Sequence, residues 1–135
     1  MKIVDSVGWL AHLAGGPLAD AYEEHILAPD ELITPGIVLY EVFKHALRTS
    51  GEEAATSAAS LIQRSPVIEL DGGLAISAAR CSIDHKLPLA DAVVYATALL
   101  HEATVLTSDK HFEGLPGVVF IPLPQRGEPA EETRS

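Results

Sequence analysis

A chain of 135 residues, 47% of them apolar, is long enough to bury one core and too apolar to be disordered as a whole. Nineteen Asp and Glu against nine Lys and Arg leave a formal charge of −10, which argues against tight nonspecific binding to phosphates and favours a basic partner. Cys81 is the only cysteine, so an intrachain disulfide and a cysteine zinc site are excluded.

The apolar runs, such as 92–100, are too short to cross a bilayer, and MKIVDSVGWL lacks the pattern of a signal peptide. A reduced, cytoplasmic setting without membrane attachment is therefore expected. In chain order, Lys2 to Val4 reads as a strand, and Asp5 or Ser6 then caps a helix reaching Leu13. Leu18 to Leu27 reads as a second helix, and Glu31 to Ile33 as a brief strand. Thr34-Pro35 predicts the start of a helix running to about Thr49, with Thr as N-cap and Pro at the first helical position. The alanine-rich stretch from Glu52 to Arg64 is helical by propensity. Val67 to Leu70 is a further strand, and Asp71-Gly72-Gly73 leads into a helix ending near Asp84 or His85.

Beyond Pro88, Leu89 to His101 reads as another helix, Thr104 to Thr107 as a strand, and Val118 to Leu123 as the last strand. Apolar strands alternating with helices predict an α/β domain around a mostly parallel sheet of about five strands. The domain spans residues 1–123, and the composition of 124–135 predicts a disordered acidic tail.

Four acids stand out in this layout. Asp5 ends the first strand and Asp109 follows the fourth, so both emerge at the carboxyl edge, where open α/β sheets bind ligands. Asp91 lies in the first turn of its helix and Glu41 in the second turn of its own. Crossover helices run against the strands, which brings these turns to the same edge. Taken singly, Asp5 and Asp109 read more readily as N-caps than as ligands, and Asp91 as an acid favoured by the helix dipole. Glu41 resists such a reading, because Ile37-Val38-Leu39-Tyr40 and Val42-Phe43 surround it and a buried carboxylate is costly unless paired or metal-bound. Clustered carboxylates also raise one another's pKa, and a divalent cation relieves that repulsion. Oxygen ligands select Mg²⁺ or Mn²⁺, either of which can activate water toward a phosphodiester. The six histidines, His12, His25, His45, His85, His101 and His111, show no metalloprotease-like spacing and read as structural or surface residues.

The pieces Ile3-Val4-Asp5-Ser6, Leu39-Tyr40-Glu41-Val42, Leu89-Ala90-Asp91-Ala92 and Leu106-Thr107-Ser108-Asp109-Lys110-His111-Phe112, in this order, resemble the PIN-domain nucleases and among them the VapC toxins of toxin–antitoxin pairs. The resemblance implies a three-layer α/β/α sandwich and a metal-dependent endoribonuclease that leaves a 5′-phosphate and a 3′-hydroxyl. It makes Asp5, Glu41, Asp91 and Asp109 the catalytic and metal-binding quartet, with Ser6 and Thr107 as supporting hydroxyls. It further implies a VapB-like antitoxin whose C-terminal arm covers the acidic groove, and a homodimer formed through helices of the first half. Many relatives carry another acid two residues after the last Asp. Here that position is His111, read as a solvated turn residue, which implies a weaker hold on a second metal. Lys44, Arg48 and Lys110, with Arg80 and Lys86 behind them, are the basic candidates for RNA contact. Lys44 and Arg48 share a helix face.

The alternative is a PIN-like module that binds RNA or protein without catalysis. Receiver domains and haloacid-dehalogenase-like phosphatases fit poorly, because a lone Asp5 follows the first strand and Val7 stands where the phosphatases need an acid.

Overall fold

The computed structural model describes residues 1–124. The acidic tail expected at 124–135 therefore lies, from residue 125 onward, outside the described residues. Strand β1 (Lys2–Val4) leads into helix α1 (Ser6–Ala14) and helix α2 (Pro17–Ile26). Strand β2 (Thr34–Pro35) precedes α3 (Gly36–Ser50) and α4 (Glu52–Ile62). Strand β3 (Val67–Ile68), α5 (Gly72–His85), α6 (Leu89–His101), β4 (Thr104–Thr107) and β5 (Val118–Phe120) complete the order.

All strand pairings are parallel, and helices cover the sheet in an α/β/α arrangement. The five strands do not form one continuous ladder. A three-stranded sheet, β1-β4-β5, stands beside the pair β2-β3, and a single bridge between Lys2 and Leu32 joins them.

Two local expectations are corrected. Residues Pro29–Glu31 form a 3-10 turn, and the strand falls at Thr34–Pro35 instead of 31–33. Thr34 is not a helix cap: its N–H donates to the Pro66 carbonyl at 2.9 Å and its hydroxyl meets Ser65 Oγ at 3.3 Å. Pairing with a strand more than thirty residues away takes the donor that a local capping signal assigned to the helix. The third and fifth strands are also shorter than expected, because their last residues leave the ladder.

The core explains the helix faces. On α3 the buried stripe is Val38, Val42 and Ala46, at helical spacing. Helix α6 is buried continuously from Ala92 to Ala98, wedged among α5, α3, β1, β2 and β4, which accounts for its nearly unbroken apolar sequence. Trp9, Tyr22 and Phe112 are almost fully removed from water, each contributing on the order of 2–3 kcal/mol. Gly8 is required where α1 meets α2: an added Cβ would lie 2.5 Å from the Tyr22 ring and 2.6 Å from Val4 Cγ1.

Candidate active site

Strand register builds the first part of the site. Because Val4 pairs with Leu106, the next residues, Asp5 and Thr107, leave the sheet side by side. The Asp5 N–H donates to the Leu106 carbonyl at 3.3 Å, continuing the ladder by one bond. Above it, the Thr107 hydroxyl donates to Asp5 Oδ2 at 2.5 Å, and the Gly8 N–H donates to Asp5 Oδ1 at 3.2 Å. Asp5 thus caps α1 and is held from the sheet as well; the capping and site readings describe the same side chain. Burial pushes its carboxyl up to about 6, with the charges of Asp109 and Glu41 acting in the same direction and the two hydrogen bonds opposing them.

Thr107 serves both acids of the strand ends. While its hydroxyl hydrogen is given to Asp5, its oxygen accepts the Asp109 N–H at 2.9 Å. Asp109 then caps the 3-10 turn Lys110–Phe112, accepting the His111 N–H at 2.9 Å through Oδ1. Phe112, fully buried, anchors that turn in the core. Next to it, Tyr22 and Ser108 share a buried hydroxyl–hydroxyl bond of 2.7 Å, tying α2 to the loop that carries Asp109. Burial pushes the Tyr22 phenol up to about 12, so the contact is between neutral groups.

Asp91 reaches the same place from the first turn of α6. Burial and the Asp109 charge raise its carboxyl to about 6, partly offset by His111. One ligand atom each from Asp91, Asp109 and His111 lies within 4.8 Å of the others. His111 Nδ1 sits between the two carboxylates, 2.9 Å from Asp91 Oδ2 and 3.0 Å from Asp109 Oδ1. Asp109's charge, chiefly, raises the pKa of the ring. The reading of His111 as a merely solvated turn residue is therefore corrected: its ring is exposed, but its nitrogen faces the acids. No spacing rule signals this, because the partner is brought from twenty residues away by the tertiary fold.

Glu41 stands apart from that cluster, half-buried beside the apolar stripe of α3, and reaches the site through its effect on Asp5. Its surroundings are less apolar than its sequence neighbours suggested, since Tyr40 is exposed. Glu41 lines a cleft with Ser6, Leu10, Tyr40, Lys44, His45 and Arg48. Lys44 leans on Tyr40, 3.3 Å from its hydroxyl and 5.5 Å from the ring centre. Ser6, expected to support a metal, accordingly lies on the Glu41 side, whereas Thr107 is bound into the acids. Lys110 is exposed on the 3-10 turn, and Arg80 and Lys86 are exposed on α5 and at its end. Among the described residues none of these three contacts the four acids through a hydrogen bond or ion pair.

Partly buried carboxylates and one imidazole nitrogen, converging at the carboxyl edge of a parallel sheet, form a donor set that suits a divalent cation. A family model for the PIN domain matches residues 2–118, and the chain belongs to that family. Among solved structures it is similar to a toxin–antitoxin complex from Klebsiella pneumoniae, at 24% identity and a TM-score of 0.75, covering 91% of this chain and 100% of that one. It is also similar to VapC20 of Mycobacterium tuberculosis, described as a toxin that cleaves the sarcin–ricin loop, at 20% identity and a TM-score of 0.69, covering 93% and 100%. A DNA-bound VapBC from Salmonella typhimurium follows at 17% identity and a TM-score of 0.70, covering 90% and 98%. At these identities the likeness establishes the fold. No curated protein sequence matches the chain.

Proposed function

We propose that this PIN-domain protein is a metal-dependent endoribonuclease and the toxin of a toxin–antitoxin pair. The observation that carries the reading is the joint position of Asp5, Asp91 and Asp109, with the Asp5 and Asp91 carboxyls each raised to about 6 by burial first and then by the charge of Asp109. Such an arrangement works against folding unless a cation compensates it. A binding module without catalysis has no use for acids held in this way. Bound there, Mg²⁺ or Mn²⁺ would supply an activated water and neutralise charge on a phosphodiester.

In this reading Asp5, Asp91 and Asp109 hold the ion, and Glu41 completes the quartet from α3. Thr107 orients Asp5 and Asp109 at once. Ser6 supports the Glu41 side, and Lys44, Arg48 and Lys110 contact RNA phosphates. The substrate, a cognate VapB-like antitoxin over the groove, and a homodimer through the first-half helices belong to the same proposal. So does a reduced cytoplasmic setting, consistent with the single, buried Cys81. Among the described residues no helix is long and apolar enough to cross a membrane.

The test is to induce wild type and Asp91→Asn in bacterial cells and map new 5′-phosphate RNA ends. Discrete ends made by wild type and absent with the folded variant are expected. Identical end maps from the two soluble proteins would refute catalysis in that host.

A further inference from the structure

We propose that His111 is itself a ligand of the metal site, and that its nitrogen makes the site select Mn²⁺ over Mg²⁺. The inference rests on the metal-nuclease reading above and adds the identity of the preferred ion. Its ground is geometric. The Nδ1 atom lies 2.9 Å from an Asp91 oxygen and 3.0 Å from an Asp109 oxygen. A nitrogen placed between two carboxylates stands where a shared cation would be gathered.

The backbone prepares this placement. His111 lies on a 3-10 turn capped by Asp109 Oδ1 and pinned by the buried Phe112, while the Asp109 N–H is held by Thr107. The turn is therefore fixed from the sheet below it. The ring itself is more than half exposed and not packed in place, so the two acids alone orient its nitrogen. Two other histidines are engaged elsewhere: His25 meets Lys2 at 3.2 Å, and His85 stacks edge-on against Tyr95.

To coordinate through Nδ1 the ring must be the neutral tautomer that keeps its proton on Nε2, so an imidazolium loses its Nδ1 proton to solvent as the ion binds. Imidazole suits transition-metal ions better than it suits Mg²⁺, which prefers oxygen ligands and retains its waters. Replacing one oxygen donor by His111 therefore weights the site toward Mn²⁺.

The experiment uses the full chain with Mn²⁺ alone and Mg²⁺ alone, comparing wild type with His111→Ala and His111→Asp. Pulsed electron paramagnetic resonance of the Mn²⁺-loaded protein should show coupling to a ¹⁴N nucleus in wild type and lose it in both variants. The variant controls matter because His45 lines the neighbouring cleft. Calorimetry should give a Mn²⁺ affinity lowered about tenfold or more by His111→Ala, with Mg²⁺ affinity changed less. His111→Asp should move the preference toward Mg²⁺. If both ions bind wild type but no nitrogen coupling appears, or alanine lowers both affinities equally, this inference falls and the nuclease reading stands. If neither ion binds wild type, both fall together.

Discussion

The two sides of the candidate site are built in opposite ways. At the ends of β1 and β4 the acids are held by partners: Gly8 and Thr107 hold Asp5, Thr107 holds Asp109, and His111 joins Asp109 to Asp91. Across the cleft on α3, among the described residues, Glu41 and Arg48 make no side-chain hydrogen bond or ion pair, and the Lys44 side chain hydrogen-bonds only Tyr40. One side is preorganised through backbone register, and the other is left adaptable on a helix surface. Chemistry requires fixed geometry to within fractions of an ångström, whereas a phosphate chain of varied sequence is met well by unpaired cations.

That contrast can be broken most directly at the fixed side. Asp91→Asn should lower RNA cleavage by the purified protein on the order of 100-fold or more, with circular dichroism unchanged. Next in size, Thr107→Val keeps the shape of the side chain but frees both Asp5 and the Asp109 N–H. A loss of about 10- to 100-fold in cleavage is expected, measured at saturating metal. A loss as large as that of Asp91→Asn would mean that the hydroxyl contacts the reacting groups.

The third test separates function from stability. Asp5 has a folded-state pKa raised from 3.8 to about 6, so in the absence of metal the folded protein binds the extra proton. Stability therefore falls as pH rises between these values, and the full penalty, on the order of 3 kcal/mol, persists above them. Asp5→Asn removes this ionisation. Urea unfolding in chelator should find the variant gaining on wild type by roughly that amount between pH 4 and pH 7. An unchanged difference across that range would show Asp5 to be solvated. Added divalent metal should reverse the ranking at pH 7, because it stabilises only the chain that can bind it.

On the adaptable side the effects should be smaller. Arg48→Ala should weaken RNA binding a few-fold whatever the sequence and reduce the salt dependence by about one counterion, with no change in melting temperature. An effect confined to one RNA sequence would instead assign Arg48 to base recognition.

What the sequence disclosed divides along the same line. The strands carrying Asp5 and Asp109 were readable because apolar runs ending in an acid mark the carboxyl edge, and Asp91 followed from the helix start after Pro88. Local signals failed where distant pairing overrode them: Thr34 carries a sound capping pattern, yet Pro66 and Ser65 take its polar groups. Glu41 was located on the right helix, but its degree of burial depended on which side of the Val38–Val42 stripe faced the core. His111 was missed as a partner of Asp91 because nothing in its neighbourhood distinguishes it from five other histidines. Tyr22, which secures the Asp109 loop through Ser108, was hidden in an ordinary amphipathic helix.

The bond between Thr107 and Asp5 joins residues 102 positions apart in the chain. Loop-closure entropy makes contacts between such distant residues slow to form, and synthesis delivers β1 long before β4. A growing chain therefore carries Asp5, Glu41 and even Asp91 without the hydroxyl and carboxylate that complete the constellation. Until β4 emerges the proposed metal site is incomplete, and the order of the strands sets how long that interval lasts.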